Sequence, residues 1–243
     1  MCSAQQAANE YVDLLKLWSD IIKPELFGYT KMAPNNWRSL HFTTIFDRFC
    51  HFIVVEVSQQ GLTAHFPTIP HPGTAQQRQI QFENYVLNFL PHMPMDSFRI
   101  RQFNFAQKFL GRTAHFPATP PDPADPTEQE VRQFFLDIHA VSHGQYTQVR
   151  KDSVQGATLD ELADILKCFD RRRTSIHTRI KTALTNPPNG VKITNLGPAS
   201  MAEIPGWLLI THHSEYPIVN GKFVRTLDHL GLYNSLDTCF PGS

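Results

Sequence analysis

The sequence predicts a mainly α fold: a helical bundle built around two related helix–arm–helix units, with a small β-containing C-terminal subdomain. Three observations predict it. Helix-start signatures recur through residues 1–187, apolar residues between them fall at helical spacing, and one arm sequence occurs twice. "GLTAHFPTIPHPG" at 61–73 is echoed by "GRTAHFPATPPDP" at 111–123.

The start signatures are capping boxes, in which a hydroxyl accepts a backbone N–H and a later side chain reaches back. Ser3 with Gln6, Thr74 with Gln77, Thr127 with Glu130 and Thr158 with Glu161 each fit. Asn35, Asn36 and Asp96 are further candidate N-caps. In the first helix Tyr11, Leu14, Leu15, Trp18, Ile21 and Ile22 share a face, and Pro24 is expected to end it. Trp37, Leu40, Thr44, Ile45, Phe49, Phe52 and Ile53 predict a long buried helix over 36–59. A strand at "FIVVEV" is the alternative, since β-branched residues cluster there.

Further helices are predicted over 75–90 (Ile80, Tyr85, Val86, Phe89), 97–110 (Phe98, Phe103, Phe105, Phe109) and 128–140 (Val131, Phe134, Phe135, Ile138). Leu159, Leu162, Ile165, Leu166 and Phe169 open one running to about Leu184. Gly61 and Gly111 each follow a predicted helix, where a left-handed residue is expected. Pro67, Pro70, Pro117 and Pro120 then keep helix from restarting, which makes each arm extended. Residues 188–243 read as the separate subdomain. There "VKITNL", "WLLITHH" and "KFVRTL" are expected strands, "VNGK" a hairpin turn, and "TLDHLGLYNSL" a last helix capped by Thr226.

Of the 243 residues, 41% are hydrophobic and 18% charged, enough apolar material for a sizeable core. The formal net charge is zero, which favours self-association. The charge is unevenly spread: residues 61–121 hold five basic and two acidic side chains, 122–170 four and ten, and 171–243 eight and four. Cys2, Cys50, Cys168 and Cys239 form no Cys-x-x-Cys pair, which argues against a cysteine zinc site and against a disulfide framework. The first residues lack a signal-peptide pattern, and "FIVVEV" is too short to span a bilayer. The expected setting is a reduced intracellular one: cytoplasmic, or the virion if the chain is viral. No membrane, metal or cofactor is expected.

The strongest electrostatic feature is "KCFDRRRTSIHTRIKTAL" at 167–184. Lys167, Arg171, Arg172, Arg173, His177, Arg179 and Lys181 are expected on a solvent face suited to phosphates, with Phe169, Ile176, Ile180 and Leu184 toward the core. Arg150 and Lys151 are expected in a preceding loop. The repeat supplies the second set: His65, Phe66, Pro67, His115, Phe116 and Pro117, as arm or oligomer contacts. His139 and His143 have a metal-like His-x-x-x-His spacing, but Ala140 stands where a metalloprotease needs Glu.

His41-x-Thr43 in "LHFTTI" and His212-x-Ser214 in "THHSEY" resemble the paired motifs of two-histidine phosphoesterases. The resemblance implies two imidazoles acting as acid and base on a cyclic phosphate. That family carries both motifs on strands, whereas His41 falls in a predicted helix. In Phe, Pro and Gln usage the chain is similar to small RNA-virus coat proteins. The function expected from all this is a non-enzymatic, self-assembling structural protein, a homo-oligomer that contacts RNA or another polyanion, most like a coat or nucleocapsid protein. The alternatives are an intracellular His-dependent enzyme of the phosphoesterase kind, and an adaptor that docks partners through its Pro-rich arms.

Overall fold

The first element begins where its capping box predicts. Gln6 N–H donates to Ser3 Oγ and Ser3 N–H donates to Gln6 Oε1, opening α1 (Ala4–Leu17), which buries Ala7, Ala8, Tyr11 and Leu14. The computed structural model describes residues 2–33, 42–93, 97–111, 116–117, 123–142, 146–170, 175–185, 195–209, 216–234 and 238–240. Pro24 does not end the helical path. A π turn (Trp18–Ile22), closed by Lys23 N–H donating to Trp18 O, joins α1 to α2 (Lys23–Thr30). Pro24 thus falls in the first turn of α2, where its missing N–H and its ring are tolerated.

Helix also wins at "FIVVEV". α3 (Phe42–His51) runs through a π turn (Phe52–Glu56) into α4 (Val57–Gln59), burying Phe49, Phe52, Ile53 and Val57 along one stripe. Gly61 follows at φ +69°, a conformation that suits a residue without Cβ. α5 (Ala75–Asn84) starts at the Thr74 box and ends in a π turn (Tyr85–Phe89). α6 (Ser97–Gly111), α7 (Glu128–Asp137), α8 (His139–Ser142), α9 (Thr147–Gly156), α10 (Leu159–Asp170), α11 (Ile176–Thr185), α12 (Pro198–Leu208) and α13 (Gly221–His229) complete the order.

Several expectations are corrected. Arg150 and Lys151 lie on α9, not in a loop. The helix expected from 159 to 184 is two, since Ser175 is non-helical and takes Thr178 N–H on its own Oγ. "KFVRTL" is helical: Asn220 caps α13 by accepting Phe223 N–H, so "VNGK" is a helix start rather than a hairpin turn. Thr226 is a buried residue inside α13 and caps nothing. Trp207 and Leu208 end α12, and residues 210–215 lie outside the described residues. Most of "VKITNL" lies outside them too. No strand occurs among the described residues.

The aromatic core forms where the π turn after α1 meets α3 and α5 with its following π turn. Trp18 lies 5.2 Å from Phe46, and Phe49 lies edge-on to Phe82 at 5.2 Å and to Tyr85 at 5.0 Å. The buried cluster is continuous from Ala7 to Phe240 and takes in Met201, Trp207, Phe223 and Leu227 of the C-terminal segment. The first arm lies on this core. Phe66 stands edge-on to Phe52 at 5.0 Å, Ile69 N–H donates to His229 O, and Gln81 Nε2 donates to Pro67 O.

The ends of the chain meet as well. Cys2 and Cys239 form a disulfide with Cα atoms 5.6 Å apart, a bridge that the reading against a disulfide framework did not anticipate, while Cys50 and Cys168 are free thiols. Their separation of 237 residues hid the pair, because sequence spacing reports only local partners. Glu10 of α1 holds the same end, accepting Tyr233 Oη–H, Thr238 Oγ1–H and Cys239 N–H.

Candidate active site

α3 is covered on both sides, so its polar residues are buried with its apolar ones. Asp47 and Arg48 both lie inside. Arg99 of α6 closes on Asp47, with Nη2 at 2.5 Å and Nε at 3.0 Å from Oδ2. Arg48 Nη1 stands 2.6 Å from Glu56 Oε1, and the same oxygen is 3.4 Å from His51 Nε2. Lys222 of α13 donates from Nζ to His51 Nδ1 at 3.1 Å. An ammonium has no acceptor, so Nδ1 is the bare nitrogen and Nε2 carries the hydrogen that faces Glu56. Glu56, His51 and Lys222 thus form a chain that sets the position of the amine.

The opposite wall comes from α12, whose residues Ser200 to Leu208 are all buried. Glu203 sits in the middle of this apolar run, 0% exposed. Its Oε2 accepts His139 N–H at 2.8 Å and its Oε1 accepts Ala140 N–H at 2.9 Å, which fixes the carboxyl against the first turn of α8. Gly206 lets the next segment close in. A Cβ there would stand 2.7 Å from Ile218 Cα, so only glycine allows residues 217–220 to lie on α12 and start α13 beside Glu203.

Between these walls is a cleft of about 430 Å³ lined by Asp47, His51, Arg99, Glu203 and Lys222. Phe98 and Trp207, edge-on with ring centres 5.3 Å apart, form its apolar side. The size suits a small molecule. Burial pushes the Glu203 carboxyl up to about 8, against the pull of the two N–H donors. Burial first, then the charges of Lys222 and the two arginines, push His51 down to about 4. Burial also lowers the Lys222 amine, while Asp47 and Glu203 pull it back up. Near neutral pH the cleft therefore holds a protonated carboxyl, a neutral imidazole and one amine.

The residues expected from sequence fall elsewhere. Lys167 pairs with Asp164 at 2.9 Å. Arg179 is 8% exposed and donates from Nη1 to Phe169 O, which corrects its expected solvent position. It lies on the same side of α11 as Ile176, Ile180 and Ala183, which are buried too. Lys181 is exposed and His177 half-buried, while Arg171, Arg172 and Arg173 lie outside the described residues. Phe66 and Phe116 are 1% and 2% exposed, and Phe116 meets Phe109 edge-on. His65 and Pro67 are exposed, Pro117 is half-buried, and His115 lies outside the described residues. Thr43 donates to Tyr216 O, while His41, His212 and Ser214 lie outside. His139 contributes its backbone N–H to Glu203, and His143 lies outside. Among the described residues no three His, Cys, Asp or Glu side chains cluster as metal ligands. No helix among them is long and apolar enough to cross a membrane.

Sequence reasoning missed Asp47, His51, Arg99, Glu203 and Lys222 as a group. The usable signal was a charge inside an apolar run: Glu203 in "PASMAEIPGWLL", and Asp47 with Arg48 in "TTIFDRFC". Comparison with protein-family models, curated proteins and solved structures returns no match.

Proposed function

We propose that the chain is an enzyme whose cleft moves a proton to or from a small bound molecule, with Glu203 as the acid–base group and Lys222 as the cation beside it. The observation that carries this is Glu203 itself: a carboxyl with no exposed surface on the wall of a small-molecule-sized cleft, with its pKa raised to about 8. Such burial costs stability, and a pKa near the working pH is what a proton carrier needs. His51, held neutral, orients the amine.

5-Nitrobenzisoxazole tests this without knowledge of the natural substrate. Its ring opens when a base removes one carbon-bound proton and the N–O bond breaks to release a phenolate. The expected result is a rate that rises with pH through about 8, as Glu203 ionises, and is lost in Glu203→Gln. Equal rates in the two proteins overturn the reading.

A second reading is a self-assembling protein that contacts RNA or another polyanion, of the coat or nucleocapsid kind. It is favoured by Phe27 and Met32 at α2 and by Ile80 and Leu87 on α5 and its π turn, large apolar side chains left exposed. α2 and α5 pack together, so these exposures belong to neighbouring elements. Here the repeated arms mark two related helix–arm–helix units whose exposed His65 and Pro67 face a neighbour. The setting would be the virion, where a disulfide persists more readily than in cytosol. Size-exclusion chromatography at low salt with absorbance at 260 and 280 nm is expected to show an oligomer carrying nucleic acid. A nucleic-acid-free monomer overturns it.

A further inference from the structure

We propose that the ligand of this cleft is a flat ring bearing an acidic group, a carboxylate or a phosphate, with the acid at Lys222 and the ring along Phe98 and Trp207. This rests on the reading of the cleft as a proton-transfer site and names its ligand class. Among the described residues around the cleft, the charges leave Lys222 as the cation without an ion pair. Asp47 is taken by Arg99 at 2.5 Å, Glu56 by Arg48 at 2.6 Å, and Asp137 by Arg101 at 3.0 Å. Lys222 is half-buried, and no carboxylate stands within ion-pair distance of it among the described residues. Its contact is the Nδ1 atom of a neutral imidazole, which cannot balance its charge.

A half-buried ammonium with no ion pair of its own is costly, since Asp47, which raises its pKa, is already held by Arg99, and an anionic ligand offsets that cost on binding. The rest of the wall is aromatic. Half-buried Phe98, backed edge-on by the buried Trp207, gives an apolar surface that suits a planar ring and offers an aliphatic chain less. Glu203 stands on the same cleft, so a proton on or next to such a ring is within the site.

The test uses benzoate, phenyl phosphate and benzamide, which share the ring and differ in the charged group. Binding is read from the indole N–H resonance of Trp207, assigned with Trp207→Phe. The acids are expected to bind at least about tenfold more tightly than benzamide, the usual scale for a charge-assisted hydrogen bond. Whichever acid binds more tightly identifies the group as carboxylate or phosphate. In Lys222→Met that preference is expected to disappear, and Lys222→Arg, which keeps the charge, is expected to retain most of it.

Benzamide binding as tightly as the acids overturns the inference, as does a preference that survives in Lys222→Met. So does the absence of any shift with all three compounds. In each of these cases a Glu203-dependent rate on 5-nitrobenzisoxazole leaves the proton-transfer reading standing, and its loss removes that reading as well.

Discussion

α3 presents two faces of opposite character. One carries Phe46 and Phe49 into the ring cluster with Trp18, Phe82 and Tyr85. The other carries Asp47, Arg48 and His51 toward Arg99, Glu56 and Lys222. Asp47 and Arg48 are buried as the rings are, and His51 half-buried, yet the two faces contribute to folding in opposite ways. The aromatic face gains from leaving water, and edge-on rings add to that gain. The charged face loses hydration on both ions, and their attraction at best returns the loss. A fold that needed only stability would have made both faces apolar. On the proposed reading, the charged face is where the chain gives up stability for chemistry.

The largest expected effects separate the two faces. Phe49→Ala leaves a cavity among rings and is expected to cost about 3–5 kcal/mol in urea unfolding. Arg99→Met strands Asp47 and is expected to cost a similar amount, about 3–5 kcal/mol. The faces part in the rescue. Asp47→Leu combined with Arg99→Met is expected to return stability to near the starting value, because neither charge then remains to be solvated. A double variant as unstable as Arg99→Met alone breaks the comparison and makes the ion pair a structural device.

A smaller effect is expected at the chain ends. The Cys2–Cys239 bridge closes nearly the whole chain, and α1 ties it to the aromatic side. Reduction is expected to lower stability by about 2–4 kcal/mol, through the freedom returned to the unfolded state. An unchanged melting temperature after reduction would mean that the ring cluster and the Glu10 contacts hold the ends unaided.

The sequence was informative where the physics is local. The Ser3, Thr74 and Thr127 capping boxes form as their residue types require, and the described apolar residues of the α3 and α7 stripes are buried, while in α6 Phe105 and Phe109 are buried and Phe98 and Phe103 half-buried. It was less so where distant parts decide. Pro24 reads as a stop until the π turn before it is seen. "VNGK" reads as a hairpin because Asn-Gly serves turns and helix caps alike, and Phe223, Val224 and Leu227 settle the matter by packing on one side of α13. The cleft was hidden for the same reason. Asp47, Arg99, Glu203 and Lys222 come from four helices, and nothing in their spacing announces that they meet.

The smallest effect is also the most specific to the charged face, because it follows one proton. Glu203 titrates near 4.5 when unfolded and near 8 when folded. Between those values the folded chain keeps a proton that the unfolded chain has lost, so stability falls as pH rises. His51 works in the other direction. It titrates near 6.5 unfolded and near 4 folded, so stability rises with pH across that interval. The two oppose each other between about 4.5 and 6.5, and above 6.5 the Glu203 slope stands free of His51. From pH 6.5 to 8 its contribution to the decline is expected to be roughly 2 kcal/mol. Glu203→Gln removes the ionisation while keeping the shape and an acceptor for α8. Subtracting the variant's stability curve from that of the wild type removes every group that titrates alike in both proteins and leaves the carboxyl with its coupling to Lys222. A difference that falls from pH 6.5 to 8 and then levels off carries the account. A flat difference means that Glu203 is ionised in the folded protein, and the carboxyl then cannot serve as an acid near neutral pH.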